Sequence, residues 1–268
     1  MPAEFLHALW PACAFAVALM LLIWWVALRI NNLGIVDIAW AFAFAPVAVF
    51  FAATTHGDLT RRWLIAGMAA LWSLRLGTYL YFRVMSHHPK EDTRYAEMRA
   101  KWGKNLKLQV LIFFQLQAVL IALLSIPFLI ACLNERPGIS PVEWLGVAIW
   151  LIAVVGEGIA DWQLKQFKAK NNRAPVCQDG LWNYSRHPNY FFEWLIWVGF
   201  FVFALGSPLG CATIYCPALM LFFLLRVTGI PLTESQAVKS KGDAYREYQR
   251  TTSQFVPWRK KNLKDYAS

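Results

Sequence analysis

Residues 178 to 197 read QDGLWNYSRHPNYFFEWLIW, a polar and basic turn that runs directly into an apolar helix still carrying Asn189 and Glu193. Pro188 fixes its own φ and biases His187 away from the helical region, so the helix is predicted to open at Pro188, where a missing N–H costs nothing. Its positive end would lie beside Arg186 and His187, which together make a ready anion site. Asn189, Glu193 and Trp197 follow at steps of four and share one helical face. Neither a soluble loop nor a plain membrane anchor has a use for that combination.

Outward from this stretch the chain is apolar throughout. Of 268 residues 58% are hydrophobic and 16% charged, which places the protein in the membrane class. Runs of spanning length occur near residues 5 to 28, 35 to 54, 63 to 82, 110 to 132, 141 to 163, 189 to 206 and 208 to 228, about seven in all. The first lacks the basic start and cleavage site of a signal peptide and reads as a retained span. Gly206, Ser207 and Pro208 alone join the sixth run to the seventh, which suits a tight reversal.

Lys and Arg are concentrated after odd-numbered spans. Arg83, Lys90, Arg94, Arg99, Lys101, Lys104 and Lys107 follow the third; Lys165, Lys168, Lys170, Arg173 and Arg186 follow the fifth. The tail adds eight more, from Lys239 to Lys264. The expectation is an all-α, polytopic integral membrane protein, a single membrane-embedded domain over residues 1–268, with the N-terminus outside and the C-terminus cytoplasmic. If the source is bacterial, the inner membrane is its place.

The formal net charge of +10 is explained by this topology and by anionic phosphate groups rather than by nucleic acid. Cys13, Cys132, Cys177, Cys211 and Cys216 form no CxxC pair, and His87 and His88 lack partners at ligand spacing, so no metal site is expected. Thr233 with Gln236 predicts a capping box for a short interfacial helix that Gly242 breaks, and Phe255, Pro257 and Trp258 form an aromatic edge.

Span five repeats the pattern of the opening stretch. Glu157, Asp161, Lys165 and Lys168 recur at steps of four, four and three on one face. Carboxylates near membrane depth point to a polar cavity, although Asp161 also precedes Lys165 in the order that favours an ion pair. If the two stripes face each other, they enclose carboxylates and amides opening onto lysines and a helix N-terminus, which matches a dinucleotide. No GxGxxG occurs, so any nucleotide must lie between helices. Elsewhere Asp37 and Trp40 in span two and Arg75 and Tyr79 in span three are candidate substrate groups, with mutual neutralisation of Asp37 and Arg75 as the alternative. Gln115 and Gln117 in span four are read as bonding neighbouring helices. KEDTRYAEMRAKWGK, after span three, is a predicted helix: a solvated, lipid-facing surface or a lid over phosphates.

At GLWNYSRHPNYFFEW the sequence resembles the steroid 5-alpha-reductase superfamily of membrane reductases, and more closely its bacterial relatives of the DUF1295 group. NNLGIVDIAW, EDTRY, VTGIPLTE and YREYQRTTSQFVPW extend the resemblance along the chain. It implies a seven-helix domain that binds NADPH on the cytoplasmic side, with its cofactor region over 155–258, and reduces a C=C bond conjugated to a carbonyl. It further implies cofactor or pocket roles for Glu157, Asp161, Lys168, Tyr184, Asn189, Glu193 and Trp197, to which the residues' own chemistry adds Lys165, Arg186 and His187. Tyr245 and Tyr248 belong to the closing segment of the same site. Lys168 stands where the family has an arginine and Glu157 where it has an amide. The steroid reductases engage the substrate carbonyl with a tyrosine and a Gln–Glu pair; here span two offers only Asp37, with Tyr79 nearby in span three.

These observations predict an NADPH-dependent reductase of an apolar enone in the lipid bilayer, with Asp37 and Tyr79 as catalytic candidates. The alternative is an S-adenosylmethionine-dependent methyltransferase of the isoprenylcysteine or phospholipid type, which shares the RHPxY turn, the acidic residue after it and a late YxxY. A third is a non-enzymatic lipid-binding or assembly protein whose polar stripes only hold helices together.

Overall fold

A computed structural model describes residues 2–86, 88–169 and 174–261. His87, Lys170, Arg173 and Lys264, named above, lie outside the described residues. Every regular element among those described is helical, apart from one isolated bridge between Ser185 and Ser253. Among the described residues, five stretches are long and apolar enough to cross a membrane: Ala3–Ile30, Ile35–Thr54, Thr93–Cys132, Pro141–Ala169 and Gly210–Lys241. Where the sequence reads as a single domain, the chain divides into two compact units, Met1–Trp144 with Phe203–Thr213 and Leu145–Val202 with Ile214–Ser268.

The N-terminal unit is built from α1 (Pro2–Ile30), α2 (Ile35–Thr54), α3 (Leu59–Met85), α4 (Thr93–Trp102) and α5 (Leu106–Cys132). Helix α2 coincides with the predicted second span. Pro46 inside it removes one ladder donor, and one residue earlier the Ser73 hydroxyl is inserted into the ladder. That hydroxyl donates to Ala41 O at 2.5 Å and accepts from Ala45 N at 3.1 Å, the pair that would otherwise bond each other. Gly77 lets α3 approach further, since a Cβ there would lie 2.7 Å from the Phe42 ring. Asp58 caps α3 by accepting from Arg61 N, and the buried Arg61 guanidinium pairs with Glu143 and donates to the carbonyls of Asn134, Arg136 and Gly138. One arginine therefore ties the start of α3 to the connection that follows α5 and to Glu143 at that end of the unit. α3 is long enough to span but carries Arg61, Arg62, Arg75 and Arg83.

The C-terminal unit holds most of α6 (Pro141–Ala169) and of α7 (Pro188–Ala204), then α8 (Tyr215–Phe222), a π turn over Phe223–Val227, α9 (Ile230–Lys241) and α10 (Asp243–Thr251). α7 opens at Pro188, as its sequence dictates. Glycine lets α6 and α7 pack closely at two levels: a Cβ on Gly156 would lie 2.4 Å from the Phe192 ring, and one on Gly199 would lie 2.9 Å from the Trp150 backbone. The seventh predicted span is not one regular helix, because a 3₁₀ segment (Gly210–Ile214), α8 and the π turn share its length.

The capping expectation for α9 needs correction. The helix opens at Ile230, with Pro231 in its first turn, and Thr233 sits inside that turn, donating its hydroxyl back to Gly229 O at 3.0 Å. Gly242, at φ 58°, separates α9 from α10 as expected.

Candidate functional site

The polar stripes of α6 and α7 do meet. Glu157 and Asp161 on α6 and Glu193 on α7 are all buried. Asn189 Nδ2 approaches Asp161 Oδ1 at 3.4 Å, and the buried Trp197 Nε1 donates to Glu193 Oε1 at 3.1 Å. Asn189 Oδ1 is buried with no hydrogen-bond partner among the described residues, which leaves an acceptor unmatched. Lys165 and Lys168 continue the α6 face into solvent. The cluster thus grades from buried acceptors to exposed cations along one helix.

The turn before α7 is held from behind. Gly180, at φ 56°, lies against Gln163, where a Cβ would come within 2.1 Å of the side-chain amide; Leu181 N donates to Gln163 Oε1 at 2.9 Å. Trp182 Nε1 donates to Ala160 O at 2.9 Å. From the other side, Arg186 N donates to Ser253 O at 2.8 Å, Ser185 Oγ donates to Phe255 O at 2.7 Å, and Trp258 N donates to Tyr184 O at 2.9 Å. The closing segment therefore clasps the turn through its backbone.

This clasp reassigns several of the expected ligands. Arg186, expected to hold phosphate, pairs through Nε with Glu234 Oε1 at 2.7 Å and donates through Nη1 to Gln249 O at 3.0 Å and Thr252 O at 2.6 Å, capping the end of α10. His187 Nε2 lies 3.2 Å from the same Glu234 oxygen, with its ring stacked on Tyr190 at 5.4 Å. Burial pushes its pKa below the ordinary imidazole value, and the neighbouring carboxylate only partly offsets this. Gln249 Nε2 donates to Glu234 Oε2 at 2.9 Å, so Glu234 gathers three partners. Tyr248 donates its buried hydroxyl to Trp182 O and to Ser185 O, and Tyr245 packs edge-on against it. The anion site expected of Arg186 and His187 is thus internally neutralised, and Tyr248 is a positioning group behind the turn. Tyr184 is exposed.

Glu234 was missed by the sequence reading. It is an isolated acid between an apolar span and a basic tail, and its position after Pro231 and Thr233 suggested only a helix start.

In the N-terminal unit, Asp37 accepts the Tyr95 hydroxyl at 2.6 Å and pairs with Arg94 at 3.4 Å. Arg94 is held in turn by Asp92, the N-cap of α4. Glu91 accepts from Leu33 N at 2.6 Å and pairs with Arg99 at 3.0 Å. NNLGIVDIAW and EDTRY are therefore two halves of one cluster, and α4 is tied to the start of α2. Tyr79 is half-buried on α3. Asp37 and Tyr79 belong to one unit and every cofactor candidate to the other.

Among the described residues no three His, Cys, Asp or Glu side chains group in a way that would hold a metal ion. An all-helical protein with membrane-length helices and a buried, carboxylate-rich polar cluster is the class that this geometry defines. The chain belongs to the DUF1295 family, described as "Protein of unknown function (DUF1295)", whose model matches residues 23–252. It is similar to a Schizosaccharomyces pombe protein described as "Uncharacterized protein C594.04c", 27% identical over 282 residues that cover 91% of this chain and 79% of the relative. No solved structure matches.

Proposed function

We propose that the protein is an integral membrane reductase that uses NADPH to reduce a C=C bond conjugated to a carbonyl in an apolar, lipid-like substrate. The supporting observation is the meeting of the α6 and α7 stripes at Asp161 and Asn189, which leaves Asn189 Oδ1 without a partner among the described residues. A nicotinamide dinucleotide suits that acceptor set: its carboxamide and ribose hydroxyls are donors, and the site presents the acceptors Asn189 Oδ1, Asp161, Glu157 and Glu193. When bound, the cofactor would supply a hydride. Lys165 and Lys168, exposed where the α6 face ends, would balance phosphate charge in place of Arg186. Trp197 holds the Glu193 carboxylate in one orientation, and the clasp of Tyr248 and Ser185 fixes the start of α7. Asp37 with its Tyr95 partner, and Tyr79, would face the substrate carbonyl and stabilise developing negative charge on its oxygen.

The proposal includes seven crossings, with α3 and α7 added to the five stretches of clear spanning length, an outside N-terminus and a cytoplasmic C-terminus. The basic segments after odd-numbered spans support it, and α7, at 17 residues, reaches the lower limit for a span.

One observation favours the methyltransferase alternative. Apart from Arg186 and His187, both engaged by Glu234, the buried charged groups described at the site are carboxylates, an arrangement that also suits a sulfonium cation. Thermal unfolding of the detergent-solubilised protein with each cofactor separates the two. NADPH at about a hundredfold over its Kd should raise Tm by roughly 5 °C or more, and S-adenosylmethionine should not. The reverse pattern would replace the reductase with the methyltransferase, and no response to either would remove both.

A further inference from the structure

The N-terminal unit holds a cavity of its own, about 500 Å³ in volume, between the start of α1, the end of α5 and the turn that follows α7. Phe5, Leu6, Ile126, Ile130 and Leu133 line it from the helices, and Leu209 from the turn. Among the described residues Asn134 is the one polar side chain of the lining, and it is engaged at both ends. Its Nδ2 donates to Gly206 O at 3.1 Å and to Ser207 Oγ at 3.0 Å, and its Oδ1 accepts from Arg136 N at 3.1 Å. The space therefore offers contact to carbon alone, at a volume ordinary for a small-molecule site.

The turn at its rim is strained in an unusual place. Ser207 to Gly210 have the pattern of a type II turn, closed by Gly210 N donating to Ser207 O at 3.0 Å, with Leu209 in the left-handed position at φ 63°. That position favours glycine or asparagine, because other side chains clash with the backbone there. Among the described residues the other non-glycine at positive φ is indeed an asparagine, Asn31. Leu209 gains little inside the protein in return, since it is 67% exposed. The turn cannot relax either: a Cβ on Gly210 would lie 1.8 Å from Ala204 O, and Asn134 holds Gly206 and Ser207. An exposed leucine held in a strained conformation beside an apolar cavity calls for an apolar occupant that covers it.

Helix α1 and the stretch that ends in α5 have membrane-spanning length, so in a bilayer that they cross this cavity lies near its edge, where acyl chains meet headgroups. Directly beyond Asn134, Glu135 and Arg136 are exposed and of opposite charge, which complements a headgroup carrying both ammonium and phosphate. We propose that the cavity holds one acyl chain of a zwitterionic phospholipid, with Leu209 packed against it. The assignment is independent of the reductase reading.

The test uses full-length protein in a steroidal detergent, which has no acyl chain, titrated with phosphatidylcholine carrying a diazirine on one chain, then photolysed and mapped by peptide mass. Adducts should concentrate on residues 126–134 and 208–212, and unlabelled phosphatidylcholine should suppress them. Ala212→Trp, which fills the cavity from the rim, should remove most of the labelling. Leu209→Asn tolerates the left-handed conformation, so it should leave the ligand-free Tm unchanged or raise it by up to about 4 °C, while half-maximal labelling should need about tenfold more phosphatidylcholine. The proposal is overturned if adducts spread over the apolar helices without enrichment, if neither variant changes the labelling, or if Leu209→Asn lowers the ligand-free Tm, which would make Leu209 part of the protein's own core. Suppression by palmitate and not by phosphatidylcholine would overturn it in favour of a free fatty acid. A dimer that Leu209→Asn disperses would overturn it in favour of a second copy of the chain.

Discussion

The two units differ in the buried hydrogen-bonding atoms that lack a partner among the described residues: Asn189 Oδ1 and Trp150 Nε1 in the C-terminal unit, and N–H groups in the N-terminal unit. In the C-terminal unit the polar face shared by α6 and α7 presents oxygens: Asp161, Glu157, Glu193 and the unpaired Oδ1 of Asn189. In the N-terminal unit the buried atoms that lack a partner include the N–H groups of Asn32, Trp40 and Gln115. A ligand rich in hydroxyls and amides suits the oxygens of the first. Buried polarity by itself therefore does not define a site; the sign of what is left unmade decides which ligand can complete it.

The comparison breaks most readily at Arg186. If it is internal glue, Arg186→Met leaves Glu234 with only His187 and Gln249, without its cationic partner, and costs about 3–5 kcal/mol, read by chemical unfolding in detergent. The double replacement Arg186→Met with Glu234→Leu should recover much of that loss. Intact stability with lost NADPH affinity would instead return Arg186 to the ligand.

A smaller effect is expected in the other unit. Tyr95→Phe removes the hydroxyl that Asp37 accepts and should cost about 1.5–3 kcal/mol, the range for a hydrogen bond to a charged group. The Tm rise caused by NADPH should not change. A reduced rise would show that the cofactor depends on the α4 cluster.

Asn189→Ala tests the acceptor face directly. It should weaken NADPH about five- to tenfold, the value of one hydrogen bond, and change ligand-free stability less, because the atom removed has no partner and the other contact is long at 3.4 Å. Unchanged affinity would remove Asn189 from the site.

The smallest effect is one of pH. Burial holds the folded-state pKa of His187 below its ordinary value of 6.5, so the unfolded chain binds a proton more readily. The stability contributed by neutral His187 is complete above pH 6.5 and is lost as pH falls toward the folded-state value. Tm should decline over that interval, and His187→Asn should flatten the decline; an unchanged slope would assign it to other groups.

Much of this was legible in the chain. Helix α2 has the boundaries its hydropathy gives, α7 opens at Pro188, and the spacing of Glu157 and Asp161 with Asn189 and Glu193 identified two stripes that the structure joins. Local rules govern all three: apolar length, proline geometry and helical periodicity. Charge at Arg186 and His187 misled, because a basic pair beside a helix start is an anion site only if nothing in the chain reaches it first.

Glu234 reaches it across 48 residues, and Tyr95 reaches Asp37 across 58. The sequence by itself determined where apolar helices form and which of their faces are polar, since those depend on neighbours within a turn or two. Only the tertiary structure decided which polar groups are already paired. Pairing depends on contacts between segments distant in the chain, and burial raises the cost of every group that such contacts leave unmade. The stretch from 178 to 197 shows both: its helix is local, but its Arg186 belongs to α9 and α10, and its Asn189 retains one acceptor for a ligand.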